Sequence, residues 1–363
     1  MDTALFDYDL PEKCIAHTPA ARRDASRLLV VERQTQKVTH HLFHELPDLL
    51  PAGTALFRNN ARVLRARLPG IRPTGGHVEC LLLRPAEQPD EWWCLLKPGK
   101  KAADGAGFGL PGIYQARATG QKGQEYRVQF TLPPGMTVPA LAEKTGALPL
   151  PPYIERARST ADGVDYAALD SERYQTVYAE AGRSVAAAAP TAGLHFSKEV
   201  LAALTARGMP AHDLTLHVGT GTFQPVKTER IEDHPIHHEW YEIPAPTLAA
   251  LTSTEAPRLA VGTTSLRAME DFARKRAAGT ATPDARGAYS GEAGLFIYPP
   301  AVFGGADLLL TNFHLPRSTL ICLVAAFLTP GETDGIAWLK GLYAEAVAHG
   351  YRFYSYGDAM LIL

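Results

Sequence analysis

The sequence predicts an α/β fold, and three observations indicate this class. The chain has 363 residues, a length typical of two domains. Short segments of alternating polarity, separated by turn clusters, fill residues 63–134, whereas strand-like and helix-like segments alternate from Ser197 onward. Hydrophobic residues make up 46% and charged residues 20% of the chain, which is typical of globular proteins and excludes a disordered or fibrous one. We therefore expect a small β module and a larger α/β domain.

The β module is predicted from five short runs. They cover residues 63–68, 77–83, 91–96, 112–118 and 125–132, and turn residues separate them. Short strands at this spacing are typical of a small barrel or sandwich. Residues 148–153 contain three prolines, which suit neither a helix nor a central strand, so we expect the chain to leave the module there.

Helices of the α/β domain are predicted from apolar residues at helical spacing. Ser197 caps the first helix, which ends at Gly208; the second runs from Gly262 to Gly279, and the third covers residues 336–348. Strands are predicted at residues 214–218, 259–261, 307–310, 351–356 and 360–363. Strands that alternate with helices in this way indicate an α/β domain.

Charge, cysteines and hydropathy exclude several classes of protein. The net charge is −2, which is unlike a protein that coats nucleic acid, although a local RNA contact stays open. The four cysteines are scattered, so neither a disulfide framework nor a zinc finger is expected, and a reducing cytoplasm fits. The first residues lack the basic start and apolar run of a signal peptide. Residues 320–328 are about half the length of a membrane helix, so we expect them in the core of a cytoplasmic protein.

Three candidate sites follow predicted strands, where open α/β sheets bind ligands. His217 lies close to Gly219 and Gly221, which combines a proton-transfer group with glycines that let a ligand approach the backbone. Residues 262–265 (GTTS) begin a helix, where free N–H groups and hydroxyls suit an anion. Residues 311–318 gather an amide, an aromatic ring, an imidazole and a guanidinium. Taken alone, each motif has an ordinary structural alternative: a tight turn for the first, a capped helix for the second and a surface loop for the third.

Histidine and basic clusters complete the candidates. Residues 233–240 hold Asp233, His234, His237 and His238, the residue types that zinc prefers. Pro235 interrupts a helix there and the spacing matches no zinc signature, so proton transfer or polar contacts fit better. Short basic clusters elsewhere suit solvated surfaces or phosphate contacts.

Taken together, the motifs resemble one family, the S-adenosylmethionine:tRNA ribosyltransferase-isomerases of bacterial queuosine synthesis. The resemblance runs almost end to end, from residues 6–11 (FDYDLP) and 23–28 (RDASRL) to residues 351–360 (YRFYSYGDAM). Between these lie residues 150–154 (LPPYI), 173–178 (RYQTVY), 190–196 (PTAGLHF), 215–219 (TLHVG), 261–265 (VGTTS) and 311–316 (TNFHLP). Each motif is weak alone, but in this order they are specific.

The resemblance implies both an architecture and a reaction. It implies a three-layer α/β domain, residues 1–62 and 151–363, with a small β-barrel inserted at residues 63–150. In the implied reaction S-adenosylmethionine donates its ribosyl carbons to 7-aminomethyl-7-deazaguanine at the tRNA wobble position, giving epoxyqueuosine, adenine and methionine. S-adenosylmethionine is then a substrate, so no cofactor and no metal are expected. The expected partners are this tRNA and S-adenosylmethionine, no membrane, and no second subunit, since we expect a monomer.

The implied reaction needs a base near the sulfonium, an acid for departing adenine and a seat for the methionine carboxylate. We expect proton transfer by His217 or His195, with Asp233 and His234 as alternates, because imidazoles titrate near neutral pH. Carboxylate binding is expected at the helix N-terminus, by Thr263, Thr264 and Ser265.

Further expected substrate contacts are Thr191, Gly193, Gly219, Gly221, Thr222, Phe223, Arg267, Asn312, Phe313, His314, Tyr356 and Asp358. Expected tRNA contacts are Arg62, Arg67, Lys97 and Lys100. Phe313, Tyr354 and Tyr356 are candidates for stacking on a base, with core packing as the alternative.

The chain departs from the family pattern in a few places, and two other functions stay open. Asn60 and Ala61 stand where the family usually has Asp and Thr, and Ala301 ends a stretch that is usually Pro-Gly-Tyr. Two extra alanines precede Pro190, and residues 159–171 form a longer linker. A metal-dependent hydrolase would use His234, His237 and His238, and a non-catalytic tRNA-binding protein would use the basic clusters.

Overall fold

The computed structural model describes residues 1–99, 105, 107–158, 164–186, 188–219 and 225–363. These residues form two compact units. The large unit contains Met1–Ala61, Pro152–Glu180 and Pro190–Leu363, and the small unit contains Arg62–Pro151 and Ala181–Ala189. Helices and strands are mixed along the chain, so the predicted α/β class is confirmed.

The elements are numbered in chain order. The strands are β1 (Arg27–Glu32), β2 (Lys37–Leu42), β3 (Ala55–Asn59), β4 (Arg62–Val63), β5 (Arg67–Ile71), β6 (His77–Pro85), β7 (Glu91–Lys97), β8 (Gly107–Leu110), β9 (Tyr114–Lys122), β10 (Glu125–Thr131), β11 (Ser184–Ala186), β12 (Ala211–Leu216), β13 (Glu239–Ile243), β14 (Arg258–Val261), β15 (Tyr289–Ala293), β16 (Leu308–Asn312) and β17 (Ala359–Ile362). The helices are α1 (Leu46–Leu49), α2 (Val138–Thr145), α3 (Pro152–Ala157), α4 (Tyr166–Arg173), α5 (Lys198–Ala206), α6 (Ala245–Thr252), α7 (Gly262–Ala277), α8 (Thr319–Leu328) and α9 (Gly335–Ala348).

A large sheet organises the large unit. Its strands lie in the order β15-β13-β12-β3-β14-β16-β17-β1-β2. The central strands β12, β3, β14 and β16 are mutually parallel, whereas β17 is antiparallel to β16 and parallel to β1. The carboxyl ends of the four parallel strands therefore share one edge with the first residues of β17 and β1. We call this edge the carboxyl edge of the sheet.

The core of the large unit is built from strands that are apolar on both faces. One core cluster contains Leu28 of β1, Leu56 of β3, Leu259 of β14 and Leu310 of β16, together with Phe196 beside α5. A sheet covered on both faces favours such continuous apolar runs. Helix α8 is buried from Ile321 to Leu328, which confirms the core assignment of this stretch. Within the described ranges, no helix combines the length and the apolar character needed to cross a bilayer.

The small unit is a closed ring of antiparallel strands. They pair in the order β10-β7-β6-β5-β8-β9, and β9 pairs with β10 to complete the ring. Alternate residues of β6 and β10 point inward, as the sequence pattern predicts. Strand β8 escaped prediction because it is rich in glycine, and Gly109 is required there. A Cβ at this position would lie 2.3 Å from the carbonyl oxygen of Tyr114.

Two strand predictions need correction. Residues 351–356 are a loop rather than a strand, because the Asp358 carboxylate accepts hydrogen bonds from the backbone N–H groups of Arg27 and Arg352 and draws the chain into a bend. Strand β12 begins at Ala211 and ends at Leu216, not at residue 218. The Asn59 side chain takes up the last ladder positions, since its amide bonds both the N–H and the carbonyl of Leu216 at 3.1 Å.

Candidate functional site at the carboxyl edge of the sheet

The carboxyl edge gathers the segments that the sequence singles out. His217 follows β12, Gly262 follows β14, and Asn312 is the last residue of β16. In register, Asn312 faces Ala359 of β17, so the loop that carries Tyr354 and Asp358 reaches the same edge. The segments that the sequence predicts to follow strand ends therefore lie at one edge of the sheet.

Strand β3 ends between two of these segments, and its last polar residues were not predicted as site residues. Asn60 donates from Nδ2 to Glu180 at 2.8 Å and accepts from the Thr215 hydroxyl at 2.7 Å. An aspartate at this position would place a second carboxylate, which accepts but cannot donate a hydrogen bond, against the Glu180 carboxylate. The amide of Asn60 is thus matched to its surroundings in this chain.

His195 lies in a buried hydrogen-bond chain. Its Nδ1 is 2.7 Å from the Ser26 hydroxyl, and its Nε2 is 3.2 Å from Asn312 Nδ2. The orientation of the Asn312 amide is fixed, because the same Nδ2 also faces the carbonyl oxygens of Tyr354 and Asp358. Asn312 Nδ2 can only donate, so His195 Nε2 accepts and Nδ1 carries the proton.

The chain of donors continues beyond the ring and settles the state of His195. Nδ1–H donates to Ser26 Oγ, and Ser26 in turn donates to the carbonyl of Arg23 at 3.2 Å. Burial, assisted by the charges of Arg23 and Arg352, lowers the pKa of His195 to about 3. His195 is therefore neutral near pH 7, and both ring nitrogens are engaged.

His314 and Phe313 are also placed in the interior. His314 Nε2 lies 2.7 Å from the Thr311 hydroxyl, and burial lowers the pKa of this imidazole to about 3. The Phe313 ring is fully buried and packs on Phe353, with ring centroids 4.9 Å apart. In this arrangement Phe313 presents no free face to a base.

The start of α7 forms the candidate anion seat. Gly262 has a φ of +89°, a left-handed conformation that favours glycine, and it lies against Ala192 of the 3₁₀ turn Thr191–His195. Thr263 and Thr264 line a cavity of ≈ 30 Å³ next to the free N–H groups of the first helical turn. The Thr264 hydroxyl is buried and has no hydrogen-bond partner within the described residues. The Ser265 hydroxyl instead donates to the Val261 carbonyl at 2.8 Å, so it is turned away from the seat.

His234 and His237 line the same cavity as the threonines. His234 is half-buried beside the Phe296 ring, and burial, followed by the nearby His237, lowers the pKa of His234. Glu239 and Arg267 also line this cavity. This cavity brings a titratable imidazole and an anion seat together.

Arg267 and Glu239 form a buried ion pair that frames this cavity. Arg267 Nη1 donates to Glu239 at 2.8 Å, and its other N–H groups reach the carbonyls of Leu295, Ala293 and His237. The second Glu239 oxygen accepts from the Gly219 N–H at 2.9 Å. We call this arrangement the Arg267 clamp, because it ties α7 to the ends of β12, β13 and β15. Glu239 was missed from the sequence, since a glutamate at the start of a strand carries no motif.

His217 and Asp233 lie differently from His195. The His217 ring is half-buried against Trp240, with centroids 4.7 Å apart, and the backbone N–H of His217 donates to the Trp240 carbonyl. Asp233 is exposed at the end of a 3₁₀ turn. Of the predicted proton-transfer residues, His234 is the one that lines the cavity with the anion seat.

The other predicted contacts are distributed over both units. Gly193 is required where it stands, because a Cβ there would lie 2.1 Å from the Tyr178 hydroxyl, and Thr191 begins the same turn. Tyr356 donates to Asp170 at 2.7 Å. Burial raises the pKa of Asp358.

In the small unit Arg62 and Arg67 lie 3.7 Å from Glu143 and Glu79, and Lys97 is exposed. The predicted positions Gly221, Thr222, Phe223 and Lys100 lie outside the described residues.

The histidines of the metal alternative form no ligand group. Among the residues that the structure describes, the grouping close enough to share a metal ion is His40, Glu345 and His349, not His234, His237 and His238. In the described part of the chain, His234, His237 and His238 therefore do not converge as the hydrolase alternative requires.

Comparison with known proteins bears on the whole chain. The sequence model of the family described as "Queuosine biosynthesis protein" matches residues 3–362. A protein of Gloeobacter violaceus named S-adenosylmethionine:tRNA ribosyltransferase-isomerase is 44% identical over 99% of this chain and 96% of its own length. A protein of the same name from Azoarcus sp. is 45% identical over 98% and 96%. The crystal structure of an S-adenosylmethionine tRNA ribosyltransferase from Thermotoga maritima aligns with a TM-score of 0.52 and 32% identity, covering 99% of this chain and all of the other.

Proposed function

The chain belongs to the queuosine biosynthesis family, and from this premise we propose that the carboxyl edge of its large sheet transfers and isomerises the ribosyl moiety of S-adenosylmethionine. The acceptor is 7-aminomethyl-7-deazaguanine at the wobble position of tRNA, and the products are epoxyqueuosine-tRNA, adenine and methionine. The family assignment made from the motifs is confirmed by the full-length matches. S-adenosylmethionine is consumed, so we propose no cofactor and no metal in the reaction.

One observation carries the placement of the reaction: the cavity at the start of α7. A proton must leave the carbon next to the sulfonium before adenine can depart, the amine then attacks the ribose-derived carbon, and ring closure expels methionine. The first step needs a base beside a bound sulfonium, and the bound carboxylate needs an anion seat. His234 and the N-terminus of α7 with Thr263 and Thr264 meet in this cavity.

The structure supports different tasks for the four proton-transfer candidates. We assign His234 or His217 to proton transfer, because both are half-buried rather than enclosed as His195 is. We assign His195 to positioning, since its Nε2 is used to hold Asn312 and its proton is held by Ser26. Asp233 is exposed and is retained as an alternate.

The finer architecture is part of the same proposal. The residues of the small unit lie in sequence between parts of the large unit, and its strands close on themselves. These facts support a small barrel at residues 63–150 inserted into a three-layer α/β domain at residues 1–62 and 151–363. We further propose that the protein acts as a monomer in the cytoplasm and binds the tRNA partly through Arg62, Arg67, Lys97 and Lys100.

The test is adenine release from S-adenosylmethionine by the purified full-length chain. The reaction is followed with tRNA that carries 7-aminomethyl-7-deazaguanine, with the same tRNA carrying guanine, and without tRNA. Release that requires the modified tRNA is the expected result. No release in any arm, from folded protein that binds the tRNA, would refute the reaction and favour the non-catalytic tRNA-binding alternative.

A further inference from the structure

A second cleft lies in the large unit beside His195, and the proposed proton transfers do not use it. It is lined by polar side chains from four separate segments of the chain: Arg23, Ser26, Arg173, His195, Ser355 and Tyr356. We call it the arginine cleft. Its chemistry differs from that of the cavity at α7, because two guanidinium groups face it and no carboxylate lines it among the described residues.

Each of the two arginines is held rigidly by backbone carbonyls. Arg23 donates to the carbonyls of Glu172, Arg173 and Leu194, and Arg173 donates to those of Ala20 and Ala21. A carbonyl fixes the orientation of a guanidinium but does not neutralise its charge. Within the described chain neither arginine has a carboxylate oxygen within 4.0 Å, and Arg173 Nε is buried without a hydrogen-bond partner.

The nearby acidic groups are already occupied. Asp170 pairs with Arg158 and accepts the Tyr356 hydroxyl, and the Asp358 carboxylate accepts two backbone N–H groups. Asp24 pairs with Arg22 and Ser197. The exception is Glu172, whose charge raises the pKa of Arg23 against the effects of burial and of Arg173, so the positive charge of the cleft is only partly balanced by its surroundings.

The electrostatic consequence is visible on neighbouring groups. Burial, followed by the charge of Arg173, lowers the pKa of Arg23. Arg23 and Arg352 contribute to the lowered pKa of His195 after burial. Arg352 reaches the same segment of chain, since it donates to the Thr18 carbonyl. Two guanidinium groups line the cleft, and the charge of Arg352 acts on the same His195 ring, so this region has a positive potential, and such a potential attracts phosphate.

The 3₁₀ turn Thr191–His195 joins this cleft to the proposed reaction site. Ala192 packs against Gly262 at the start of α7, and His195, three residues later, lines the arginine cleft. Three residues of 3₁₀ helix span roughly 6 Å. A nucleic-acid strand that places one nucleotide at α7 therefore brings a neighbouring phosphate within reach of the cleft.

We propose that the arginine cleft binds a backbone phosphate of the substrate tRNA next to the nucleotide that reacts, through Arg23 and Arg173. This inference rests on the proposed function, because that function supplies the nucleic acid. Planar guanidinium groups match phosphate oxygens with paired hydrogen bonds, and their fixed orientation lowers the entropy lost on binding. The contact fixes the register of the tRNA and reads no base.

The first experiment measures tRNA binding by the full-length chain as a function of salt. The variants are Arg173→Gln and Arg352→Gln, with Arg286→Gln as the control, because Arg286 is exposed and pairs with Asp284 outside the cleft. The probe is tRNA carrying 7-aminomethyl-7-deazaguanine, at 50 to 200 mM NaCl. For Arg173→Gln we expect affinity about tenfold weaker at low salt and a slope of log K against log salt reduced by about 0.7 to 0.9, one released counterion. Arg286→Gln is expected to match the wild type.

Two further measurements separate this proposal from folding and from the proposed function. Thermal unfolding and S-adenosylmethionine binding by calorimetry are expected to stay as in the wild type for Arg352→Gln. Phosphate-ethylation interference on the wild-type chain needs no variant, and ethylation of one phosphate flanking the wobble nucleotide is expected to weaken binding. An unchanged salt slope in folded variants, or no interference at those phosphates, would overturn the cleft as a phosphate site. Wild-type chain that binds tRNA with this interference but releases no adenine would instead refute the reaction and leave the phosphate site standing.

Discussion

His195 and His234 are the same kind of side chain near the same sheet edge, yet their surroundings make them opposites. His195 is enclosed, both of its nitrogens are engaged, and its pKa is lowered to about 3. His234 lines a cavity, is half-buried, and has a pKa that burial lowers from its ordinary value. An imidazole that is enclosed and fully bonded can hold its neighbours in place. An imidazole beside a cavity can exchange a proton with a ligand.

Rigid frames surround both histidines, but they are built differently. Around His195 the frame is a chain of neutral hydrogen bonds from Asn312 to Ser26. Around His234 it is the Arg267 clamp, a charged pair whose side chains are 14% and 6% exposed. Removal of one member of a neutral network costs a hydrogen bond, whereas removal of one partner of a buried ion pair leaves the other charge buried and uncompensated. The comparison therefore predicts a ranking of effects.

The largest effect is expected from breaking the Arg267 clamp. Arg267→Ala leaves the Glu239 carboxylate buried beside α7 without its cation, and loss of one partner of a buried pair costs about 3–5 kcal/mol. We expect the free energy of unfolding to fall by that amount in urea titrations. Arg286→Ala removes an exposed pair with Asp284 and should change it by less than about 0.5 kcal/mol. Equal effects of the two substitutions would contradict the clamp.

Removal of the enclosed imidazole ranks second. His195→Ala creates a cavity and removes one hydrogen bond each from the Asn312 amide and the Ser26 hydroxyl, which should lower the free energy of unfolding by about 3 kcal/mol. His41→Ala is the control, because His41 pairs with Glu45 at the surface. The measurement is again urea unfolding at pH 7.

The pH dependence of the free energy of unfolding should also reflect the neutral, enclosed state of His195. The pKa of His195 is about 3 in the folded chain and about 6.5 when unfolded, so the unfolded chain binds the extra proton between these values. The contribution of His195 to stability is complete above pH 6.5 and falls as the pH drops toward 3. The wild type should therefore lose more stability than His195→Ala between pH 6.5 and 4. Parallel curves would refute the neutral, enclosed state.

The sequence predicts those parts of this comparison that depend on local pattern. Helix α7 follows from apolar residues at helical spacing between Gly262 and Gly279, and the ring of strands follows from alternation in the small unit. Strand β2 was missed because it is a polar edge strand with no fully buried residue. Residues 351–356 were wrongly predicted as a strand, since their aromatic residues serve packing in a loop.

The different surroundings of the two histidines were beyond sequence reasoning for a physical reason. The state of His195 depends on Ser26 and Asn312, which are 169 and 117 residues away in sequence. Spacing identifies an imidazole near a strand end but does not show what closes around it. His217 and His195 were therefore predicted as first choices and His234 as an alternate, and the distinction needs tertiary structure.

The third effect concerns catalysis rather than stability. His234→Gln removes the proposed proton-transfer group but keeps a polar side chain, so kcat for adenine release should fall about 100-fold, which is about 2.7 kcal/mol in the barrier. Urea unfolding should be unchanged. His238→Gln is the control, because His238 is exposed and pairs with Glu292. A kcat within about threefold of wild type would exclude His234 as the base.

The pH profile of kcat sharpens this assignment. A base must be neutral to accept a proton, so the rate should rise with pH through the pKa of His234. Burial lowers that pKa from 6.5, which places the rise below pH 6.5 when His234 is the base. The rise should disappear in His234→Gln and persist in His238→Gln. Persistence in both variants would move the assignment to His217.

The smallest effect is expected at the anion seat. Thr264→Val keeps the shape of the side chain and removes a hydroxyl that is buried beside the α7 N-terminus without a partner in the described chain. We expect KM for S-adenosylmethionine to rise about tenfold, which is about 1.4 kcal/mol, with kcat nearly unchanged, because a contact to the carboxylate is made equally in ground and transition states. Thr252→Val is the control, since the Thr252 hydroxyl only bonds its own helix at Ala249. An unchanged KM in Thr264→Val would mean that the N–H groups of α7 hold the carboxylate without this hydroxyl. The selectivity of the cavity would then depend on the Arg267 clamp that frames it rather than on its threonines.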